Sequence, residues 1–153
     1  NGLARNGRFE EALTIFERLL ELDPERPIIH WSLGRLWTRQ GEYEKALEEF
    51  KQEKYDFLAL TGQAIAYHHL GQRDEAVTAL QTLISAMGES SSYQIAEVYA
   101  QWGDFDNAMS WLERGYNIRD PGLQYVASDN YMKPLHDDPR FQAFLKKMNF
   151  AAK

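Results

Sequence analysis

Four glycines, Gly7, Gly41, Gly71 and Gly103, carry the same neighbours at the same distances, and this recurrence restricts the chain to one kind of architecture. Their spacings are 34, 30 and 32 residues, the range of stacked helical repeats. Five residues after each glycine stands an alanine, Ala12, Ala46, Ala76 or Ala108; nine after stands Phe16, Phe50, Leu80 or Leu112. Phe9, Tyr43 and Phe105 follow by two, with Arg73 the exception. Leu3, Trp37, Tyr67 and Tyr99 precede by four, and Gly34, Ala64 and Ala96 by seven.

These offsets describe a helical hairpin. A small residue on the first helix and an alanine on the second let two backbones approach, while aromatics around the turn fill the space beside them. Glycine at the turn takes a left-handed backbone without a Cβ penalty and so ends the first helix. Apolar residues at steps of three and four turn one face of each helix toward its partner.

The spacing predicts hairpins over about 1–24, 25–54, 56–86 and 90–118, with a cap over 119–150, in a single domain spanning 1–150. In the first, residues 1–6 are the end of one helix and 8–22 its partner, closing at Asp23-Pro24, where proline cannot continue a helix. Between the second and third hairpins, Gln52 to Asp56 contains no proline and the repeat is four residues short, which predicts a changed stacking angle. Ser90 is a candidate helix cap. After Arg119-Asp120-Pro121-Gly122 the period stops; 122–133 reads as one short helical turn and Pro134 to His136 as a turn. Asp138-Pro139 then has the form of an N-cap and first helical residue, opening a helix with Phe141, Phe144, Leu145 and Met148 on one face.

The 17 Lys and Arg stand against 23 Asp and Glu, a net charge of −6, which opposes a phosphate-tracking surface and argues against nucleic acid as a partner. The absence of cysteine excludes a disulfide framework and thiolate metal sites and accords with a reducing cytosol, slightly favouring a cytoplasmic location. No run of 18 apolar residues spans a membrane, and NGLARNGR lacks the layout of an export signal. The chain lacks an initiating Met and opens within a helix pattern, as a fragment of a longer protein would.

Leu33-Gly34 with Trp37, then Ala46 and Phe50, and Ala12, Phe16 and Pro24 one repeat earlier, resemble the tetratricopeptide repeat. His30 stands where that pattern has Trp, and Gln63 where it has Leu. The resemblance covers residues 1 to about 118 and implies an all-α fold: a right-handed superhelical stack of antiparallel hairpins, an αα-solenoid, closed by a C-terminal helix. The tail, with Met132-Lys133-Pro134-Leu135 and Asp138-Pro139-Arg140-Phe141, resembles the ends of repeat arrays in bacterial multidomain regulators, including winged-helix transcription factors, nucleotide cyclases and protein kinases.

Such arrays bind a peptide along a concave groove lined by the first helix of each hairpin. That resemblance and the helix period place Trp31, Arg35, Thr38 and Arg39, then Thr61, Ile65, His68 and His69, then Tyr93, Glu97 and Gln101 on the groove, with Asn1 and Arg5 extending it. The arginines beside Trp31 have the chemistry to hold a carboxylate or aromatic group, although they equally balance nearby Glu residues. Some family members clamp a terminal carboxylate with Lys and Asn; the corresponding places here hold Trp31, Thr61, Tyr93, Arg35, Ile65 and Glu97, so that clamp is absent.

Adjacent helical residues such as His68 and His69 point about 100° apart and do not chelate one ion together, so no metal or cofactor is expected. The carboxylate pairs Glu10-Glu11, Glu48-Glu49 and Asp137-Asp138 sit on polar faces or a cap, without the shielded pocket that acid–base catalysis requires. The expectation is a non-enzymatic protein-interaction module that holds a peptide, or its own upstream effector domain, within a larger bacterial regulator. The alternative is a scaffold whose role is self-association, as a homodimer.

Overall fold

Three of the four glycines end a helix in the same way. Gly41, Gly71 and Gly103 have φ of 76°, 75° and 78°, the left-handed region open to a residue without Cβ. In each case the glycine N–H donates to a carbonyl three residues back and the next N–H to one five back: Gly41 to Thr38 and Glu42 to Trp37, Gly71 to His68 and Gln72 to Tyr67, Gly103 to Ala100 and Asp104 to Tyr99. This is the Schellman closure, which satisfies carbonyls the helix leaves without partners.

The protein is described here by a computed structural model covering residues 2–150, with side chains from residue 5. It is all-α, built from antiparallel helix hairpins of the αα-solenoid class, with no strand among the described residues. It packs as two compact units, one ending at Ala76 and one beginning at Val77. The first holds α1 (Gly2–Leu22), α2 (Ile29–Arg39), α3 (Tyr43–Gln52), α4 (Asp56–His69) and the start of α5 (Arg73–Met87). The second holds the rest of α5, α6 (Ser92–Trp102), α7 (Phe105–Ile118), two 3₁₀ helices (Pro121–Tyr125 and Asn130–Leu135) and α8 (Pro139–Lys147).

The break expected at Gly7 is absent: α1 runs as one helix of 21 residues, and Gly7 does not take a positive φ. The described residues before Gly7 continue α1 without a turn. A hairpin over 1–24 is therefore replaced by a single helix packed on α2, where Phe9 meets Trp37 edge to face at 5.2 Å between centroids.

The core of the first unit is organised on Phe50. Ala46 and Phe50 of α3 are fully buried, as the close helix contact requires. A Cβ added at Gly34 would stand 2.2 Å from the Phe50 ring, and one added at Gly62 would stand 2.3 Å from it. Glycines from α2 and α4 thus leave the space that the ring occupies. His30, at the position where the repeat pattern has Trp, meets Glu49 of α3 at 2.7 Å.

The shortened connection after α3 has a specific structure. α3 has 10 residues where α7 has 14, so one turn is missing. The residue after it, Glu53, is buried and turns its carboxylate to the start of α2, accepting from the Trp31 N–H at 2.8 Å, the Ile28 N–H at 3.4 Å and the Tyr55 N–H at 3.1 Å. In the second unit Asp120, after the longer α7, does the same for α6, accepting from the Tyr93 N–H at 3.0 Å. In these two hairpins the first helix is capped by a carboxylate from beyond the second helix, and the shorter second helix carries the longer acid. This relieves orphan amides and favours the positive end of the helix dipole. At the same junction Ile28 has φ of 73°, a conformation that branched residues seldom adopt.

Beyond α7 the tail has more order than its sequence indicates. Asp120, Asp129 and Asp138 each accept from the backbone N–H two residues on, opening the first 3₁₀ helix, the second and α8 in turn. Proline at the first position of α8 follows the expected form. Ser90 does not cap α6; its hydroxyl donates to the Met87 carbonyl, and Ser91 occupies the cap position. α8 lies parallel to α7, since Arg140 meets Asp106 and Lys147 meets Glu113, both at 2.6 Å and both across 34 residues. That offset equals the first glycine spacing, so α8 takes the place of the second helix of a further hairpin, with two 3₁₀ turns standing for its first.

Candidate functional site

The residues expected to line one groove fall into three environments. On α2, Arg39 is exposed, and Trp31, Arg35 and Thr38 are half-buried. The Arg35 guanidinium carbon stands 5.3 Å from the Trp31 ring centre, a cation–π arrangement, while that ring tilts against Phe50 at 5.6 Å. The Thr38 hydroxyl donates to the Gly34 carbonyl within its own helix. Arg5 is exposed on α1, and Asn1 lies outside the described residues.

On α4 the expectation divides. His69 is exposed and stacks on Tyr43 at 4.4 Å, and His68 is half-buried with its ring edge-on to His69. Burial holds the His68 imidazolium below the usual histidine range, and the charges of His69 and Arg73 act in the same direction. Thr61 and Ile65 are fully buried and present no surface to a ligand. The Thr61 hydroxyl is turned onto its own helix, donating to the Phe57 carbonyl. Leu58, Ala59, Thr61, Gly62, Ala64, Ile65 and Ala66 are all buried, so the middle of α4 is interior, while its ends reach solvent at Asp56 and His69. The apolar run from Phe57 to Tyr67 is the signal that marks it.

On α6 the expected groove face is already covered. Tyr93 and Glu97 are buried, and Gln101 is half-buried. The Tyr93 hydroxyl donates to the Asp129 carboxylate at 2.6 Å, and the Gln101 side-chain amide to the Tyr131 carbonyl at 3.0 Å. The chain's second 3₁₀ helix therefore lies along α6 at the residues placed on the groove. Gly122 of the first 3₁₀ helix also packs on α6: a Cβ there would stand 2.7 Å from the Tyr93 ring. The residues missed at the sequence level are Asp120 and Asp129, and their only signal is the recurrence of Asp two residues before a helical N–H.

The second 3₁₀ helix is thus held on α6 through Tyr93 and Gln101, and Trp31, Arg35 and Arg39 stand at the matching positions of α2. Helical hairpins with such faces define a class of protein-binding repeat scaffold. The comparisons place the chain within it: residues 1–59, 58–86 and 90–120 each match the tetratricopeptide repeat. The chain is 31% identical over 126 residues to photosystem I assembly protein Ycf3 of Cuscuta gronovii, covering 73% of this chain and 72% of that protein. It belongs to the tetratricopeptide repeat family. No helix among the described residues is long and apolar enough to cross a membrane.

Proposed function

We propose that this chain is a non-catalytic interaction module whose α2 face takes an irregular, acidic peptide segment. The observation that carries this reading is the tail on α6. Counted back from Gly103, Tyr93, Glu97 and Gln101 stand ten, six and two residues away, and Trp31, Arg35 and Arg39 stand at the same distances from Gly41. The first set holds a 3₁₀ turn of this chain through hydrogen bonds to a carboxylate and a carbonyl. The second set replaces an acid with Arg35 and an amide with Arg39, which changes the preferred ligand to one bearing carboxylates.

The photosystem relative is an assembly protein by name, and that likeness supports a scaffold role here. Attachment to an upstream effector in a bacterial regulator is part of the same proposal, supported by the likeness of the tail.

The test is an array of fluorescent peptides that vary in charge around a central Asp and aromatic residue. Acidic members should bind, and Arg35→Ala with Arg39→Ala should abolish binding while the melting temperature holds. Binding that ignores peptide charge, or that survives both substitutions, would overturn the assignment.

A further inference from the structure

We infer that the cleft between α7 and α8 docks an amphipathic helix of a partner protein, one that inserts a single large apolar side chain and carries base along one flank and acid along the other. The cleft has a volume of about 480 Å³, in the range of sites that take an organic group. Met109 and Phe144 form its floor and are buried, and the small, exposed side chains of Ser110 and Ala143 leave it open between the helices.

The two walls are of opposite sign. α7 contributes Asp106 and Glu113, and α8 contributes Arg140 and Lys147. On each wall the two charges are seven residues apart, two turns or about 10.5 Å along a helix. Ser110 and Ala143 stand between those corners, so the cleft is a frame of four charges around an apolar floor. A helix laid along it has the same repeat: residues four before and three after an anchor share one flank, and residues three before and four after share the other.

Charge selects the occupant. The pairs across the cleft, Arg140 with Asp106 and Lys147 with Glu113, join solvent-accessible side chains and are readily exchanged. Each base also has a second contact that keeps it in place. Arg140 donates from Nε and Nη2 to the Asp138 carboxylate at 3.1 and 2.8 Å, and the Lys147 ammonium stands 4.0 Å from the Tyr116 ring centre. The basic wall is therefore pre-positioned for an acid of the partner, while the Asp106 side chain, 89% exposed, is open to a base. A segment with one sign on both flanks would meet like charge on one wall, which distinguishes this occupant from the acidic segment of α2.

The probe is a fluorescent, alanine-based helical peptide with a central Leu, Lys four before and three after it, and Glu three before and four after it. It should bind the whole chain, and peptides with Lys or Glu at all four places should bind about tenfold more weakly. Ser110→Leu and Ala143→Leu fill the cleft from its exposed sides and should each abolish binding with the melting temperature unchanged. Exchanging one corner pair, Glu113→Lys with Lys147→Glu, keeps the bridge across the cleft but leaves no peptide direction that matches both ends; affinity should fall about tenfold. No binding of the mixed peptide, equal binding of the one-sign peptides, or binding that survives Ser110→Leu and Ala143→Leu would overturn the docking site; indifference to the exchanged pair would overturn the role of the charged walls.

Discussion

Phe50 and Gly62 meet so closely that a methyl group on Gly62 would stand 2.3 Å from the Phe50 ring. Glycine within a helix ordinarily costs about 0.5–1 kcal/mol relative to alanine, yet here the ring leaves room for nothing larger. Gly62→Ala is expected to overpack the first unit and lower its stability by about 1–3 kcal/mol. Chemical denaturation should show the loss, and Phe50→Leu should recover part of it by vacating the ring's space. A neutral Gly62→Ala would mean that the ring and the helix are not in contact.

Gly7 is the opposite case. It lies within α1 with nothing inside 4 Å of an added Cβ and without a positive φ. Gly7→Ala should stabilise the chain by about 0.5–1 kcal/mol through helix propensity. A left-handed turn at Gly7 would instead make the same change destabilising, so the sign of the shift in denaturation midpoint decides between one helix and a hairpin.

Glu53 supplies acceptors to the amides of Trp31, Ile28 and Tyr55. Glu53→Ala strips three backbone donors of their partner and should cost about 1–3 kcal/mol. Glu53→Asp should recover little, because the shorter side chain does not span the missing turn of α3. Full recovery by aspartate would contradict the compensation between helix length and side-chain length.

The Tyr93 hydroxyl anchors the tail through Asp129. Tyr93→Phe leaves a buried carboxylate short of a donor, and local stability should fall by about 1–3 kcal/mol. Amide hydrogen exchange is the appropriate measurement. Faster exchange across 120–136, with unchanged protection of α2 and α3, is the expected pattern; uniform acceleration would argue that the tail is not a local element.

His68 should give the protein a component of acid sensitivity. Its folded pKa lies below the unfolded value of 6.5, so the unfolded chain binds the proton more readily. The stability that this residue contributes is therefore complete above about that pH and is lost as pH falls through 6.5 toward the folded value. His68→Gln should flatten the melting temperature against pH in that window. An unaltered profile would remove His68 from the account.

What the sequence revealed depended on whether a residue acts through period or through reach. Gly41, Gly71 and Gly103 were legible because their backbone requirement is local and recurs, and so was the proline-led start of α8. Gly7 misled because it shares the neighbours of the other three but not their positive φ. Thr61 and Ile65 occupy groove positions by period, yet both are fully buried, and burial overrides a position number. Tyr93, Glu97 and Gln101 also occupy groove positions by period, yet the tail covers them, an irregular segment whose spacing matches no helix. Glu53 carries no local signal because the α2 amides it serves lie 22 to 25 residues earlier.

The parallel offset of α8 against α7 bears on how the repeats of such a chain are counted. α8 stands to α7 as the second helix of one repeat stands to the next, so the register of the array carries on past the point where its first-helix pattern is lost. The two 3₁₀ turns fastened to Tyr93 and Gln101 mean that a place in that register is open to irregular chain as well as to a helix, and repeat number read from helices alone undercounts it.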